Sequence, residues 1–549
     1  MMIKTLRKVC LVVCICSILM TLFPVKSIAD YPIFSQRYTA DPTAVEYNGR
    51  LYVYLSHDAD LTAGQSTYNI PDITCISTDD LKNWTDHGEV FNAKADSKWA
   101  SVTWAPSIVY RNNKFYLYYG NGGNGIGVAV SDSPTGPFKD PRSTALVTGS
   151  TPGVQPAKDM WLFDPGVFVD DDGQAYMYFG GNGESNIRVI KLGSDMISTV
   201  GSAMTMTAPR FFEAAWMHKY KGKYYFSYAS DFSQGASKIE YMMSDSPTSG
   251  FTYKGVILPQ PPDNYNNNNH AVTVQFKDKW YVVYHNRNLG KQRGVETNYQ
   301  RNAAIDEMFY NSDGTIKQVV PTVDGLKQLK YVDPYTKNSA VTMYKESGTE
   351  TEECSEGARN VSMIQNGDWI EIKGVDFGNG GATSFDARVA SATQGGNIEI
   401  RLDSVTGTLV GTCKVEGTSG WQTWTTKTCS VSNVTGVHDV FFKFTGSGSD
   451  YLYNLSWWKF NKASSTPTAT PTNTPTYTPT STPTTKPILT GDINGDGVVN
   501  MSDVILIAVS FNSVKGDLKY KAEYDLNGDG VINMQEVIII ALNFNATLK

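Results

Sequence analysis

A short hairpin signature recurs five times within residues 30–335, and it limits the fold more than any other feature of the chain. Each copy is a polar turn followed by alternating apolar and aromatic residues. The copies are Gly49-Arg50-Leu51-Tyr52-Val53-Tyr54, Asn113-Lys114-Phe115-Tyr116-Leu117-Tyr118, Gly173-Gln174-Ala175-Tyr176-Met177-Tyr178, Gly222-Lys223-Tyr224-Tyr225-Phe226 and Asp278-Lys279-Trp280-Tyr281-Val282. Period-two alternation behind a turn reads as the second strand of a hairpin. The shared tyrosines, Tyr52, Tyr116, Tyr176, Tyr225 and Tyr281, stand 64, 60, 49 and 56 residues apart. That leaves room for about four strands per repeat, the blade of a β-propeller. Ser131-Asp132-Ser133-Pro134 and Ser244-Asp245-Ser246-Pro247 echo each other one strand beyond the tyrosine. The repeats predict a mainly β chain with a five-bladed propeller over 30–335. One large β-sandwich does not predict five equivalent hairpins.

The repeat also supplies a ruler. Asp41 precedes its tyrosine by 11 residues, Trp104, Asp164 and Glu213 precede theirs by 12, and His270 by 11. The first strand of each propeller blade lines the central channel, so equal offsets place these side chains at similar height around one axis. Three carboxylates in one cavity repel unless they share a proton or divide roles. Glycoside hydrolysis needs that division: one carboxyl protonated for the leaving oxygen, another ionised to activate water. Tryptophan offers a flat face to a sugar ring. A transition-metal site is a weaker fit, with one His among carboxylates and no tight spacing.

Tyr38-Thr39-Ala40-Asp41-Pro42, Trp104-Ala105-Pro106-Ser107, Phe163-Asp164-Pro165-Gly166-Val167-Phe168 with Asp170-Asp171-Asp172-Gly173, and Phe212-Glu213-Ala214-Ala215-Trp216-Met217-His218-Lys219 resemble glycoside hydrolase family 43. The resemblance covers nearly all of 30–335. It implies a five-bladed propeller of inverting arabinofuranosidases, xylosidases or arabinanases. It further implies Asp41 as general base, Glu213 as general acid, and Asp164 as the group that raises the pKa of Glu213 and orients it. Ala215 departs from the family, which usually carries Pro there. His270 matches a family histidine deep in the channel, near a cation or water, and Arg301 an arginine facing substrate. Trp104, His270 and Arg301 are thus the expected substrate-binding residues, with an ion pair as the alternative role for Arg301.

Residues 339–461 form a second strand-rich module. Gly367-Asp368-Trp369, Ala387-Arg388-Val389-Ala390, Gly395-Gly396-Asn397-Ile398-Glu399-Ile400-Arg401-Leu402-Asp403, Gly420-Trp421-Gln422-Thr423-Trp424 and Tyr453-Asn454-Leu455-Ser456-Trp457 resemble carbohydrate-binding module family 6, a jelly-roll β-sandwich. The resemblance implies a sugar cleft with Trp421 as one face, Asn454 as the amide and Glu352 as the carboxylate. The second face, usually Tyr, falls on Met363, which offers no flat π-surface. Trp424 and Trp457 are expected in the core. The family's structural calcium ligands read here as Ser339, Val341 and Ser456, so that site is expected to be lost. Cys413 and Cys429 fall on what read as neighbouring strands, within reach of a disulfide, and Cys354 and Cys75 read as buried thiols.

Prolines 467, 471, 475, 479, 483 and 487 fall on every fourth residue of a Thr- and Ser-filled stretch, 464–487. That composition cannot pack a core and reads as an extended spacer. Beyond it, over 490–549, Asp492, Asn494, Asp496, Val498 and Asp503 repeat 33 residues later as Asp525, Asn527, Asp529, Val531 and Glu536. Both sets follow the calcium-loop spacing, with Gly at position 6, a main-chain carbonyl at position 7, and Asp for Glu at position 12 of the first. No helix precedes the first loop. This duplicated half EF-hand resembles a dockerin, which implies two calcium ions, a small helical fold and a cohesin partner. Met501-Ser502 and Met534-Gln535, at loop positions 10 and 11, are more similar to type II dockerins than to type I.

Lys4, Arg7 and Lys8, an apolar run over 9–20 and Ser27-Ile28-Ala29 read as a secretory signal over 1–29. Too few apolar residues precede Cys14 for a lipoprotein anchor. No stretch is long enough for a membrane span, and a net charge of −7 argues against a nucleic-acid partner. Together these readings give an extracellular, cellulosome-associated hydrolase that takes α-L-arabinofuranosyl side chains off arabinoxylan. β-Xylosidase or arabinanase action is the alternative within the family. A non-catalytic carbohydrate-binding adaptor is the alternative outside it.

Overall fold

A computed structural model describes residues 32–61, 66–157, 159–233, 235–264, 268–295, 297–322, 325–448, 450–462, 489–517, 519–544 and 546–547. The expected signal and the proline-spaced stretch lie outside them. The chain divides into two compact units, 1–465 and 466–549.

The five repeats are five blades. The innermost strands are Thr39–Tyr47, Trp104–Arg111, Gly166–Val169, Phe211–Tyr220 and Ala271–Phe276. The repeat tyrosines lie on the second strands, Arg50–His57, Lys114–Gly120, Ala175–Phe179, Lys223–Ser230 and Lys279–Asn286. Each innermost strand contacts those of the two adjacent blades, and the first contacts the last, so the ring closes. Closure is reinforced by segment 33–39 lying on blade 5, where Ile33 and Thr39 N–H groups donate to the Ala303 and Arg301 carbonyls. Between blades the faces pack through aliphatic and aromatic side chains such as Val53, Val282, Tyr225 and Tyr281, all essentially buried.

Blade 2 has three strands rather than four, ending with Ile126–Ser131. Pro134, Pro137 and Pro141 occupy the segment where a fourth strand belongs. Proline cannot donate to a ladder, and only isolated bridges, Val130 to Lys139 and Ile126 to Val147, form along that edge. Blade 1 gains a fifth strand instead: Thr342–Met343 pairs with its outer strand Trp84–Phe91. The second module is thereby joined to the propeller, and Asn83 adds reciprocal hydrogen bonds with the Lys373 main chain at 2.8 and 3.0 Å.

That second module is a sheet curled into two facing layers by one long strand, Gly420–Val434, which pairs with Thr408–Val415 on one side and Ala382–Ser391 on the other. Phe385, Phe442, Trp458 and Phe460 fill the space between the layers. The expectation for the tryptophans is corrected here. Trp458 is the core residue, whereas Trp424 and Trp457 are half-buried. Trp424 hydrogen-bonds Ser355, and Trp457 lies under the Lys337 ammonium. Cys413 and Cys429 lie on adjacent strands as free thiols, and Cys75 and Cys354 are buried thiols.

In the C-terminal unit two helices, Met501–Ala508 and Met534–Leu542, pack through Ile507 and Ile540 with Val499, Tyr524 and Ile532. Each starts in a capping box: Asn500 with Asp503, and Asn533 with Glu536. No described helix is long and apolar enough to cross a membrane.

Candidate active site

Asp41, Asp164, Glu213, Trp104, His270 and Arg301 come together at one mouth of the channel, around a cavity of about 270 Å³. The local backbone explains how five strands can aim side chains at one point. Strand register breaks between Ala40 and Thr43, between Trp104 and Ser107, and on both sides of Glu213. Such bulges re-aim a side chain where a regular strand would turn it into the blade. At the same positions Asp41, Ala105, Asp164 and Ala214 adopt left-handed φ values of 47, 35, 48 and 60°. Non-glycine residues held there carry a cost of about 1–3 kcal/mol, and such strain concentrates at functional sites. Ala215, where proline is usual, is buried beside the acid.

Blades 3 and 4 meet tightly at this point. A Cβ on Gly166 would stand 2.0 Å from the Ala215 carbonyl oxygen. Gly166→Ala should therefore push the Glu213-bearing strand off the axis. The expected outcome is a loss of about 1–3 kcal/mol in stability and a fall in turnover of at least about 10-fold. Thermal melts and initial rates on arabinoxylan check both.

The electrostatics divide the three carboxyls. Burial pushes the Asp41 carboxyl up, but the adjacent Arg301 guanidinium outweighs it and holds the group well below the ordinary carboxylate range. Arg301 Nη1 donates to Asp41 Oδ1 at 2.6 Å, while Nε and Nη2 form a two-point bridge to Asp58 at 2.8 and 2.7 Å. The Tyr68 ring covers its other face, 4.4 Å from the guanidinium carbon. Arg301 thus serves an ion pair and lines the cavity at once. The Asp41 N–H donates to His285 Nδ1 at 3.3 Å, which makes that nitrogen an acceptor. Burial lowers His285 to about 4, so its ring is neutral and Arg301 provides the cation that stabilises the Asp41 charge.

Asp164 and Glu213 go the other way. Burial and the Asp41 charge push Asp164 up to about 8. Burial, then Asp164 and Asp41, push Glu213 well above its usual range. Between them they keep a proton at neutral pH. The Ala214 N–H donates to Asp164 Oδ2 at 3.1 Å, fixing Asp164 beside the acid's own backbone. Glu213 Oε1 is buried and has no hydrogen-bond partner. His270 Nδ1 stands 3.6 Å from Asp41 and 3.8 Å from Asp164, and burial lowers its pKa to about 4. Among the described residues no group of three His, Cys, Asp or Glu side chains that could hold a metal ion gathers near His270.

Several residues that line the cavity or hold its lining residues escaped the tyrosine ruler. Asp58, His285 and Asn268 carry no repeat signal, because they sit at second-strand ends or on loops. Trp161, Phe163, Phe212 and Phe232 form an aromatic wall, with ring centroids 5.0–5.8 Å apart along it. Of these, Phe163 and Phe212 flank the acids in sequence.

In the second module Asn454 Nδ2 donates to Glu352 Oε1 at 2.7 Å and to the Trp421 carbonyl at 2.8 Å, so the residues of the expected cleft do assemble. Gln422 adds a donor to the same Glu352 oxygen at 2.8 Å. Met363 is 48% exposed with a left-handed φ of 52°.

In the C-terminal unit the loop acids cap main-chain N–H groups. Asp492 accepts from Gly497 and Asp525 from Gly530, at 2.8 and 2.9 Å. Asp496 and Asp529 accept from Val498 and Val531, and Asn494 and Asn527 from Asp496 and Asp529. Asp503 and Glu536 are fully buried, and Glu536 Oε1 has no partner. An orphaned buried carboxylate oxygen in an oxygen-rich loop fits a hard cation such as calcium.

Residues 29–316 match the family model for glycosyl hydrolases family 43, residues 339–462 that for carbohydrate binding module (family 6), and residues 490–545 that for the dockerin type I domain. The last corrects the type II reading. That reading rested on four residues at the exposed helix starts, whereas the match spans the module. An arabinoxylan arabinofuranohydrolase of Paenibacillus polymyxa is 43% identical over 472 residues, covering 78% of this chain and 74% of that protein. One from Bacillus subtilis (strain 168) is 42% identical over 476 residues, covering 78% and 92%. The crystal structure of a glycoside hydrolase family 43 arabinoxylan arabinofuranohydrolase from Bacillus subtilis, in complex with cellotetraose, superposes with a TM-score of 0.74 at 41% identity, covering 79% of this chain and 99% of that one. With its propeller, its axial acids and this match over half its length, the chain belongs to glycosyl hydrolase family 43 and is a glycosidase.

Proposed function

We propose that the chain removes α-L-arabinofuranosyl side chains from arabinoxylan in a single inverting displacement. The observation that carries the reading is the split protonation of one buried pocket. Asp41, kept ionised by Arg301, takes the proton of a water attacking the anomeric carbon. Glu213, kept protonated by burial and by Asp164, donates its proton to the departing xylan oxygen. Asp164 holds the acid's pKa up and, through the Ala214 N–H, its position. Trp104 and the Phe163 wall supply apolar faces for the sugar. The similarity to two arabinoxylan arabinofuranohydrolases over most of the chain favours arabinose over xylose as the released sugar. Proton NMR of fresh arabinoxylan digests tests it. Arabinose appearing first as the β-anomer supports the reading. Release of xylose from xylo-oligosaccharides supports a β-xylosidase, cleavage within arabinan an arabinanase, and no release of sugar a carbohydrate-binding adaptor.

The remaining modules fit a protein secreted to work on plant cell wall polysaccharide: the sandwich as a xylan-binding module and the C-terminal unit as a calcium-loaded dockerin held by a cohesin on a scaffold. If Met363 occupies the place of an aromatic platform, Met363→Tyr should tighten xylo-oligosaccharide binding by about 0.5–1.5 kcal/mol. Trp421→Ala should remove most of the binding. Calorimetry on both variants checks the pair.

A further inference from the structure

Arg301 holds two buried carboxylates, and the mechanism uses only one of them. Its Nη1 donates to Asp41 Oδ1 at 2.6 Å. Its Nε and Nη2 donate to the two oxygens of Asp58 at 2.8 and 2.7 Å, and its main-chain N–H donates to Asp58 Oδ2 at 3.0 Å. Asp58 directly follows the second strand of blade 1 and is 1% exposed. A buried carboxylate is costly unless it is paired and hydrogen-bonded. Burial raises the Asp58 pKa, yet the groups that meet its two oxygens are N–H donors of Arg301, an arrangement that fits the ionised form. The main chain ties the same residues together. The Asp58 N–H donates to the Tyr38 carbonyl at 3.1 Å, and the Thr39 N–H donates to the Arg301 carbonyl at 2.8 Å. Tyr38 and Thr39 lead directly into Asp41.

Asp58 changes the charge of the base arm. Asp41 and Arg301 alone would sum to zero. His270 and His285 add nothing, because burial lowers both to about 4. With Asp58 the arm carries one net negative charge. It carries that charge close to the other acids: the His270 ring alone separates Asp41 from Asp164, at 3.6 and 3.8 Å, and Glu213 lines the same cavity. The geometry matters as well. The contacts of Arg301, His270 and His285 with the Asp41 carboxyl all fall on Oδ1, which leaves Oδ2 for water.

We propose that Asp58 is a positioning residue for hydrolysis: it engages two edges of the Arg301 guanidinium and offsets its charge, so that Arg301 meets Asp41 with one N–H on Oδ1 and the base keeps a net negative charge for drawing a proton from water. This rests on Asp41 acting as the general base. Without Asp58 the guanidinium would turn wholly to Asp41, in a two-point bridge that occupies both oxygens and weakens the base.

Asp58→Asn tests it, because the amide keeps the volume and one accepting oxygen but not the charge. The variant should lower kcat about 30-fold on arabinoxylan and on 4-nitrophenyl α-L-arabinofuranoside alike, part of the 10²–10⁴ that general-base catalysis contributes. KM should change less than about 2-fold. The loss is shared because both substrates need an activated water, whereas 4-nitrophenolate departs with little help from the acid. Losing a negative charge also makes neighbouring carboxyls easier to ionise, so the alkaline limb of the arabinoxylan pH profile should move to lower pH by about one pH unit. Besides Asp58, Asp41 faces Arg301, His270 and His285 of blade 5, Asp164 of blade 3 and Glu213 of blade 4. Asp58 faces Arg301, whose other face carries Tyr68 with Arg287 behind it. None of these changes in the variant. A loss confined to arabinoxylan, a limb that does not move, or a kcat within about 3-fold of wild type overturns the proposal. Should Asp58→Asn fail to fold, Asp58→Glu keeps the anion and displaces the guanidinium by one methylene. It should lower kcat about 3–10-fold on both substrates alike, and wild-type rates or a loss confined to arabinoxylan overturn the proposal equally. Activity retained in Asp41→Asn would instead remove the base assignment, and a wild-type chain inactive on both substrates would refute the arabinofuranosidase reading.

Discussion

Glu213→Gln should hydrolyse arabinoxylan about 10³–10⁴-fold more slowly than the wild type while melting at the same temperature, because it removes a transferable proton and almost no volume. Burial, Asp164 and Asp41 all disfavour the Glu213 carboxylate, so in the wild type the protonated form persists well above the usual carboxyl range. Activity should fall as pH rises through that raised value. On the acid side Asp41 is held far below its usual range by Arg301, so the base stays ionised and activity should persist through mildly acidic pH. In Glu213→Gln the alkaline limb should vanish from the profile on 4-nitrophenyl α-L-arabinofuranoside, where the residual rate is measurable. Full activity on arabinoxylan in the variant would remove Glu213 from the role, and a retained alkaline limb would assign that limb to another group.

The propeller and its acids were legible because both repeat. A tyrosine on each second strand and a fixed count back to each first strand carry the same information five times, so one irregular blade cannot hide it. Blade 2 loses its fourth strand to three prolines, yet Trp104 stays in place because the first strand alone sets its height. What does not repeat was not legible. Asp58 and His285 hold the base arm from the ends of second strands, and nothing periodic separates them from ordinary polar residues there. Thr342–Met343 joins blade 1 across more than 250 residues, a pairing no local pattern announces. The tryptophans of the second module show a subtler limit. In Asn454–Asn461, counting by twos from Leu455 selects Trp457, and counting back from Phe460 selects Trp458. A register shift between the partners of Trp457 and Leu455 changes the parity, so Leu455, Trp458 and Phe460 all face the core. Alternation alone cannot see a bulge.

Calcium withdrawal should unfold the C-terminal unit and leave the propeller working. This unit has a small core, Val499, Ile507, Tyr524, Ile532 and Ile540, and domains of about 60 residues seldom hold together on so little without a metal or disulfides. Its loops repeat the spacing of calcium-binding loops. Glu536 uses Oε2 to cap the Asn533 N–H at 2.7 Å and leaves Oε1 buried and unpaired. A buried carboxyl oxygen without a partner is costly unless a cation or a donor meets it. On the proposed dockerin reading, calcium bound there would contribute directly to folding, because the unfolded loop has no preformed site. Chelation should therefore abolish the helical circular dichroism of residues 490–549 and weaken capture by an immobilised type I cohesin by at least about 100-fold. Arabinoxylan hydrolysis should continue, since Asp41, Asp164 and Glu213 lie in the other compact unit. Glu536→Gln, which keeps the capping oxygen and removes the charge, should raise the calcium concentration needed for half-maximal capture by about 10-fold or more. Helices and cohesin capture that survive chelation would show that the apo module folds on its core and caps alone, and that the orphaned oxygen has another partner.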